Sequence, residues 1–370
     1  MGGRRVATWR RRTPTGPHRR WVCATLAGLC GTLLLAACAS GRLDGPVPKE
    51  FCAAGTLNAQ GSSAQRNAME RWINAYQRSC PGSTINYEAT GSGAGIKALV
   101  SGVADFAGSE SLLEPKEQVQ ADVQCSGGRA ISLPMVIGPV AVAYQLGGVP
   151  ELRLTPGTLA GIFTGQVKRW DDPVIRADNP GTSLPPAPIH AIHRAEDSGT
   201  TETFTTYLAW AAPAEWTLGS DRKWPASGGS GAEGSERLAE AVRATDGAIG
   251  YLELSNARNE GLSVARIRNA SGNFTAPSAE AAAQVVPEPR DDLRVDVDSG
   301  SRADGAYPIV LVTYEIVCDR GLAVDEVPLV RGFLGWAVSA DGQELITELG
   351  FASLPESLRQ RVAAEVARIS

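Results

Sequence analysis

The chain has few of the residues that build metal sites. Its 370 residues include three His, and His190 and His193 have no set of ligands at useful spacing around them. The seven Cys never occur at the CxxC spacing that is typical of zinc sites. The hydrolase nucleophile motif GxSxG is absent as well. We therefore predict a protein that is not an enzyme and that holds no metal and no cofactor.

Acidic residues are missing from the first 37 positions, which contain seven Arg and end in an apolar run from Trp21 to Ala37. A charged segment followed by an apolar one is typical of a secretion signal, and this run is too short for a convincing membrane span. We expect residues 1–37 to be a signal peptide. Without its seven Arg, the 35 basic residues fall to 28 against 40 acidic ones. Nucleic acid is then not an expected partner, because no basic stripe remains to neutralise phosphates.

The apolar run ends in Leu35-Ala36-Ala37-Cys38, which resembles the lipobox of bacterial lipoproteins. That resemblance implies lipidation, with palmitate, at Cys38, which would become the new N-terminus. A plain signal peptide followed by a chance Cys is the alternative. Residues 38–50, with several Gly and Pro, would form the lipidated N-terminus and a tether.

Four cysteines remain in the part expected to be exported: Cys52, Cys80, Cys125 and Cys318. An even number in an oxidising compartment indicates disulfide bonds. Three pairings are possible and the sequence does not choose among them. Free buried thiols are the alternative.

Three stretches place small polar residues directly before a helical pattern. They are Gly61-Ser62-Ser63, Gly91-Ser92-Gly93 and Asp197-Ser198-Gly199-Thr200. The free N–H groups at a helix N-terminus suit an oxyanion, and nearby Arg194 can add a bidentate pair of donors. Any one stretch is also typical of an ordinary capped helix. Three in one chain indicate an anion site.

A carboxylate at Asp105 adds a possible means of choosing the anion. A carboxylate repels most anions but accepts a hydrogen bond from one that still carries a proton. Phosphate near neutral pH carries a proton, whereas sulfate does not. We expect Asp105 to make this distinction, with a solvated turn residue as the alternative.

In this order the motifs resemble those of the phosphate-binding lipoproteins of phosphate ABC transporters, from about Leu57 to Leu354. The resemblance also includes Lys97, Phe106, Gly247-Ala248-Ile249-Gly250-Tyr251 and Tyr307-Pro308-Ile309. It implies an α/β, two-lobed periplasmic-binding-protein fold with a two-strand hinge and a ligand cleft between the lobes. We place lobe one at residues 51–133 plus 308–370 and lobe two at residues 134–307.

The resemblance also implies which residues bind phosphate. They are Ser62, Ser63, the backbone N–H of Ala64, Ser92, Asp105, Arg194, Ser198, Gly199 and Thr200. Glu196 and Asp197 would support Arg194, and the sequence leaves open which of the two acids orients it. Ala64 replaces the Phe that is usual in the family, which matters little if the backbone makes the contact.

The function implied is that of an extracytoplasmic solute-binding lipoprotein. It would capture inorganic phosphate and deliver it to an ABC permease in the membrane, as a monomer anchored by lipid to the outer face of the cell membrane. The alternatives are a phosphatase-like enzyme of the same fold, a surface lipoprotein redirected to an adhesive role, or a binding protein for sulfate or molybdate.

Overall fold

A mixed β-sheet runs through the computed structural model, which describes residues 46–287 and 290–370. Nine of the strands in these residues form this sheet and three form a smaller one. In chain order the strands are β1 Gly55–Gly61, β2 Ser83–Glu88, β3 Phe106–Ser109, β4 Ala130–Gln145, β5 Arg153–Leu154, β6 His190–Arg194, β7 Ser230–Ala232, β8 Ala248–Glu253, β9 Ser263–Val264, β10 Arg266–Arg268, β11 Phe274–Thr275 and β12 Val310–Cys318.

The large sheet has two halves that share one long strand. Its order is β2-β1-β3-β12-β4-β8-β6-β7, with β9 also paired to β4, while β5, β10 and β11 form the small sheet. We call β2, β1, β3 and β12 the first half, and β8, β6 and β7 the second half. Within each half, β1 is parallel to β2 and β3, and β6 is parallel to β7 and β8. Strands of parallel direction bring their carboxyl ends to one edge, where ligands commonly bind.

Strand β4 is longer than the residue pattern alone predicts, because the apolar runs at 130–137 and 139–144 indicate two separate strands. The structure has one strand of 16 residues. Its first part, through Pro139, pairs with β12, and its remainder, from Val140, pairs with β8. Pro139 lacks an N–H, but it stands where β4 changes partner, so the ladder tolerates it. The continuous strand links the two halves directly.

Helices cover the sheet. They are α1 Arg66–Ser79, α2 Ser92–Val100, α3 Pro115–Gln124, α4 Pro156–Phe163, α5 Pro173–Asp178, α6 Gly199–Ala211, α7 Gly234–Ala244, α8 Leu254–Asn259, α9 Ala279–Ala283, α10 Val327–Ala337, α11 Ala340–Thr347 and α12 Glu356–Val366. The apolar pattern of residues 307–314 predicts a strand, and the strand β12 begins at Val310 and continues to Cys318. The C-terminal stretch contains three helices, α10 to α12.

Large aromatic side chains are buried on both halves of the sheet, in one continuous hydrophobic cluster. On the first half, Trp72 of α1 is fully buried and its Nε1 donates to the carbonyl of Gly342 at 2.7 Å. Behind the second half, the Phe204 ring stacks on Tyr251 with centroids 4.3 Å apart, and Phe163 packs edge-on against both. Such aromatic contacts hold α4 and α6 against β8.

The cysteines form two disulfides, Cys52–Cys80 and Cys125–Cys318, of the three pairings that the sequence allowed. The first bond ties the beginning of the described chain to the end of α1. Val47 is buried beside it, and its backbone N–H donates to Ser79 Oγ at 3.0 Å. The last part of the predicted tether therefore packs on the fold through Val47, whereas Pro46, Lys49 and Glu50 are exposed.

Other sequence-based predictions lie outside the described residues or stay predictions. The signal peptide at 1–37, lipidation of Cys38 and the tether up to residue 45 all lie outside them. Of the predicted lobe boundaries, residue 134 lies inside β4 and residue 308 lies two residues before β12. Among the described helices, none has the length and apolar character needed to cross a bilayer.

We expect the two disulfides to contribute unequally to stability. Cys125–Cys318 spans 193 residues and Cys52–Cys80 spans 28. Chain entropy then assigns about 5 kcal/mol to the first bond and about 3.5 kcal/mol to the second. Urea unfolding of the variants Cys125→Ala/Cys318→Ala and Cys52→Ala/Cys80→Ala should show the larger loss of unfolding free energy in the former. The reverse order would contradict the loop-length argument.

Candidate functional site

The first polar loop follows β1 and lies against β3. Gly61, the last residue of β1, has a φ of 144°, and a Cβ there would overlap the carbonyl of Gly108. The next residue, Ser62, donates its N–H to that carbonyl at 2.8 Å. Its hydroxyl accepts the N–H of Ala64 at 3.1 Å at the start of α1. Backbone packing thus holds Ser62 and Ala64 at the carboxyl end of β1.

The second polar loop follows β2 and reaches the other half of the sheet. The Gly93 N–H donates to the carbonyl of Asp197 at 3.0 Å, which brings the start of α2 next to the start of α6. Ser92, the first residue of α2, has a hydroxyl that accepts the N–H of Gly199 at 3.2 Å. Two helix N-termini, one from each half, therefore meet at Ser92.

Arg194 ends β6 and lies between the two halves, with 1% of its surface exposed. Its backbone N–H donates to the Tyr251 hydroxyl of β8 at 3.2 Å, which fixes where the side chain begins. The guanidinium donates to the hydroxyls of Ser63 at 2.7 Å, Thr200 at 3.3 Å and Ser235 at 3.3 Å. A planar group with five donors can serve several acceptors at once, so Arg194 connects the first loop to α6 and α7.

The acid that orients Arg194 is Glu196. Its Oε1 accepts from Arg194 Nε at 2.8 Å and also from the second guanidinium nitrogen. Asp197 faces the other way and forms an ion pair with Lys97 at 3.2 Å. The sequence left open which of the two acids orients Arg194. In the structure Glu196 pairs with Arg194, and Asp197 pairs with Lys97 instead.

A carboxylate that we did not predict lies at the centre of this cluster. Glu110 directly follows β3, and its oxygens accept hydrogen bonds from Ser62, from Ser92 at 3.1 Å, from Thr200 at 3.4 Å and from Thr313 of β12 at 3.1 Å. Burial raises the pKa of Glu110, whereas the Ser62 hydrogen bond and the charge of Arg194 lower it. These hydroxyls come from both halves of the sheet.

The prediction that Asp105 lies in this cluster is wrong. Its Oδ2 accepts the backbone N–H of Asn58 at 2.7 Å, and its own N–H donates to the Asn58 carbonyl at 2.8 Å. Asp105 precedes β3 and Glu110 follows it, five positions later, so extended chain separates them by about 16 Å at 3.3 Å per residue. The polar loops gather at the carboxyl ends of the strands, and Asp105 lies at the opposite end of β3.

The remaining predicted site residues lie together. Ser198 caps α6, its hydroxyl accepting the N–H of Thr201 at 3.3 Å, and Gly199 and Thr200 form the first turn of that helix. Ser62, Ser63, Ala64, Ser92 and Arg194 complete the group.

Sequence reasoning missed Glu110, Thr313 and Ser235. A signal for Glu110 was present, because Glu110-Ser111 follows β3 just as Ser62-Ser63 follows β1. Ser235 is the second residue of α7, which follows the Gly/Ser-rich stretch at 227–231, and its N–H donates to Ser63 Oγ at 3.0 Å. Thr313 lies within β12 and has no pattern to mark it.

The assembled site combines hydroxyls, a buried guanidinium, helix N-termini and one carboxylate. Such donors suit a small tetrahedral oxyanion, and the carboxylate accepts a hydrogen bond only from an oxyanion that is protonated. Among the described residues, no group of three His, Cys, Asp or Glu could hold a metal ion. The geometry therefore favours anion binding.

Comparison with known proteins agrees with this geometry. The family described as the PBP superfamily domain matches residues 46–341. The chain is 38% identical over 350 residues to "Phosphate-binding protein PstS 3" of Mycobacterium leprae, covering 92% of this chain and 94% of that one. It is also 38% identical over 356 residues to "Phosphate-binding protein PstS 2" of Mycobacterium tuberculosis, covering 92% and 96%.

A solved structure of a phosphate-binding protein from Stenotrophomonas maltophilia is similar in fold. Its TM-score is 0.64 at 23% identity, covering 84% of this chain and 94% of that one. The predicted α/β periplasmic-binding-protein fold is thereby confirmed.

We expect Arg194→Met to destabilise the protein in anion-free buffer. The substitution removes the positive charge that Glu196 and Glu110 face. The free energy of unfolding should fall by about 3 kcal/mol. Urea unfolding measures the loss. Arg237→Met is the control, because the Arg237–Glu233 pair is exposed and contributes about 0.5 kcal/mol. Equal effects of the two substitutions would show that Arg194 is not a structural charge partner.

Proposed function

Because this chain belongs to the PBP superfamily and, within it, to the family of PstS phosphate-binding proteins, we propose that it captures inorganic phosphate and delivers it to an ABC permease. The observation that carries the proposal is Glu110, a carboxylate surrounded by the hydroxyls of both halves. An anion site that includes a carboxylate requires a ligand that can donate a hydrogen bond.

The proposed ligand contacts come from three loops and Arg194. Arg194 neutralises charge, and the phosphate oxygens accept from the hydroxyls and N–H groups at the helix starts. We propose Ser62, Ser63, the N–H of Ala64, Ser92, Arg194, Ser198, Gly199 and Thr200 as donors, with Glu110 in the role first expected of Asp105. Glu196 holds the guanidinium in position.

Selectivity follows from hydrogen-bond matching. In a closed site, a stranded polar group costs about 1–3 kcal/mol and a stranded charge costs more. Sulfate would place lone pairs against ionised Glu110, whereas protonated phosphate donates a hydrogen to it. The charge of Arg194 and the hydrogen bonds from Ser62 and Ser92 favour ionised Glu110, opposing the effect of burial.

Closure of two lobes completes the mechanism. We propose the lobes at residues 51–133 with 308–370 and at residues 134–307, with β4 and β12 as the hinge. The proposal is supported by contacts that cross between the halves, Ser63 to Arg194 and Ser92 to Gly199. In a hinged protein, such contacts form on closing around the ligand.

We further propose that the protein acts outside the cytoplasm, as a monomer held by lipid at Cys38 on the outer face of the cell membrane. Two disulfides support an oxidising location. The segment of seven Arg followed by an apolar run, and the Leu-Ala-Ala-Cys sequence, support export and lipidation.

A binding role is favoured over a phosphatase. Ser198, the candidate nucleophile, uses its hydroxyl to accept the Thr201 N–H as a helix cap. Among the described His residues, His193 directs Nδ1 to the carbonyl of Arg194 and stacks its ring on Trp224, so it does not activate Ser198. A nucleophilic Ser needs a base within hydrogen-bond reach.

Calorimetric titration of the anion-stripped domain tests the ligand and the role of Glu110. We expect one-to-one phosphate binding and no sulfate binding. Glu110→Gln should reduce the preference for phosphate by about 10- to 100-fold, because the neutral amide can donate to sulfate and no longer repels it. Asp105→Asn is the matched control and should leave the preference unchanged. Loss of selectivity in Asp105→Asn alone, or no phosphate binding by the unmodified domain, would contradict the proposal.

Membrane fractionation tests the lipid anchor. Cys38→Ala should move the exported protein from the membrane fraction to the soluble one, since without lipid no stable anchor remains. Cys30→Ala, within the apolar run, is the control and should stay with the membrane. Retention of Cys38→Ala on the membrane would refute lipidation at this residue.

A further inference from the structure

A second carboxyl group, Glu315, is buried below the proposed phosphate site. It lies on β12 with 0% of its surface exposed, and it pairs in register with Gly108 of β3. Thr313, two residues earlier on the same face of the strand, contacts Glu110. Within the described part of the chain, neither carboxyl oxygen of Glu315 has a hydrogen-bond partner as an ionised acceptor. Such a group requires a physical explanation, because unpaired buried charges are costly.

A chain of hydrogen bonds runs from the neighbourhood of Glu315 to the first polar loop. Gln65 Nε2 donates to the Tyr87 hydroxyl at 3.0 Å, and that hydroxyl donates to the carbonyl of Ser62 at 2.8 Å. Since a hydroxyl has one proton, and Tyr87 gives it to Ser62, Gln65 must be the donor to Tyr87. The direction of the chain therefore fixes the amide of Gln65, and its Oε1 faces away from Tyr87.

Gly108 places this chain next to Glu315. A Cβ on Gly108 would overlap Gln65 Nε2 and lie 2.6 Å from Tyr87 Oη, so both side chains rest directly on this glycine. Glu315 is the residue opposite Gly108 on β12. Gln65 Oε1 is buried and, like the oxygens of Glu315, has no donor.

The two carboxyl oxygens of Glu315 and Oε1 of Gln65 are three neighbouring buried acceptors that lack a hydrogen-bond donor among the described residues. A proton on Glu315 supplies a donor for Gln65 Oε1 and removes the buried charge in the same step. We propose that Glu315 is held as the neutral acid and acts as a positioning residue, donating to Gln65 and so holding the Ser62–Ala64 loop ready for phosphate. This inference rests on the proposed function and adds a residue to its site.

Burial and the negative charge of Glu110 both favour the neutral form of Glu315, whereas the Gln65 side chain opposes them. Burial raises the pKa of Glu315 to about 8, Gln65 lowers it, and the negative charge of Glu110 raises it. The titratable groups that face it are Glu110, after β3, and Tyr87, on β2; burial raises the pKa of Tyr87 well above its ordinary value, and the charge of Glu315 adds to this. The protonated form is thus present below about pH 8 and is lost above it. Ionised Glu315 would also repel the ligand.

The test is phosphate affinity as a function of pH, from 6.5 to 9.5, in three proteins. From pH 7 to 9.5 we expect the unmodified protein to lose about tenfold more affinity than Glu315→Gln, because tenfold corresponds to one pKa unit of coupling between ionisation and binding. The amide of Gln keeps an uncharged donor at every pH. Titration of phosphate itself affects all three proteins equally.

Glu253→Gln is the matched control. Glu253 is also fully buried, and burial raises its pKa to about 8, but its Oε2 accepts the Ser255 N–H at 2.8 Å and it lies outside the chain to Ser62. This variant should follow the unmodified protein. A profile for Glu315→Gln that coincides with the other two would overturn the proposal.

Infrared difference spectra, recorded without phosphate, test the protonation state of Glu315 independently of ligand binding. In Glu253→Gln, the carbonyl band of a protonated buried carboxylic acid should persist at pH 7 and vanish above about pH 8. Absence of this band would overturn the proposal even if Glu315→Gln failed to fold. If the unmodified protein bound no phosphate, the proposed function would be wrong. The band would still show whether Glu315 is protonated.

Discussion

The buried guanidinium of Arg194 is the interaction on which the arrangement of the site depends. A cation with 1% exposure persists only when its charge and donors are matched, and here Glu196, Ser63, Thr200 and Ser235 match them. These partners come from both halves of the sheet. Charge neutralisation and the joining of the halves are therefore one requirement.

The sheet makes this arrangement possible. Strand β4 passes from one half to the other, and β12 pairs with it antiparallel, so the strands that surround them keep fixed directions. The parallel strands β1 and β2 on one side, and β6 on the other, end in the polar loops. Helix N-termini follow at once, because each strand leads into a crossover helix. The oriented N–H groups there give an acidic chain a local positive field, which the net charge does not reveal.

Much of this could be read from local pattern. Small polar residues before helical periodicity located the three loops, and a planar cation after a buried strand located Arg194. The polar residues around Glu110 were a local signal, but they did not decide between Asp105 and Glu110, since both flank the same short strand. Which end of β3 faces the site depends on its pairing with β1 and β12, and these pairings join residues far apart in the chain. The disulfides are another such case, with Cys125 and Cys318 separated by 193 residues.

By itself, the sequence determined the chemistry that is encoded locally: the polar helix starts, the Arg, the even number of exported Cys and the family resemblance. The tertiary structure decided the relations between distant residues: which acid pairs with Arg194, which carboxylate joins the hydroxyls, and which two side chains meet over Gly108. The physical reason is that helix starts and turns depend on residues a few positions apart, whereas burial and strand register depend on the whole fold. Glu315 illustrates the difference, because its unusual environment exists only once β3 and β12 are paired.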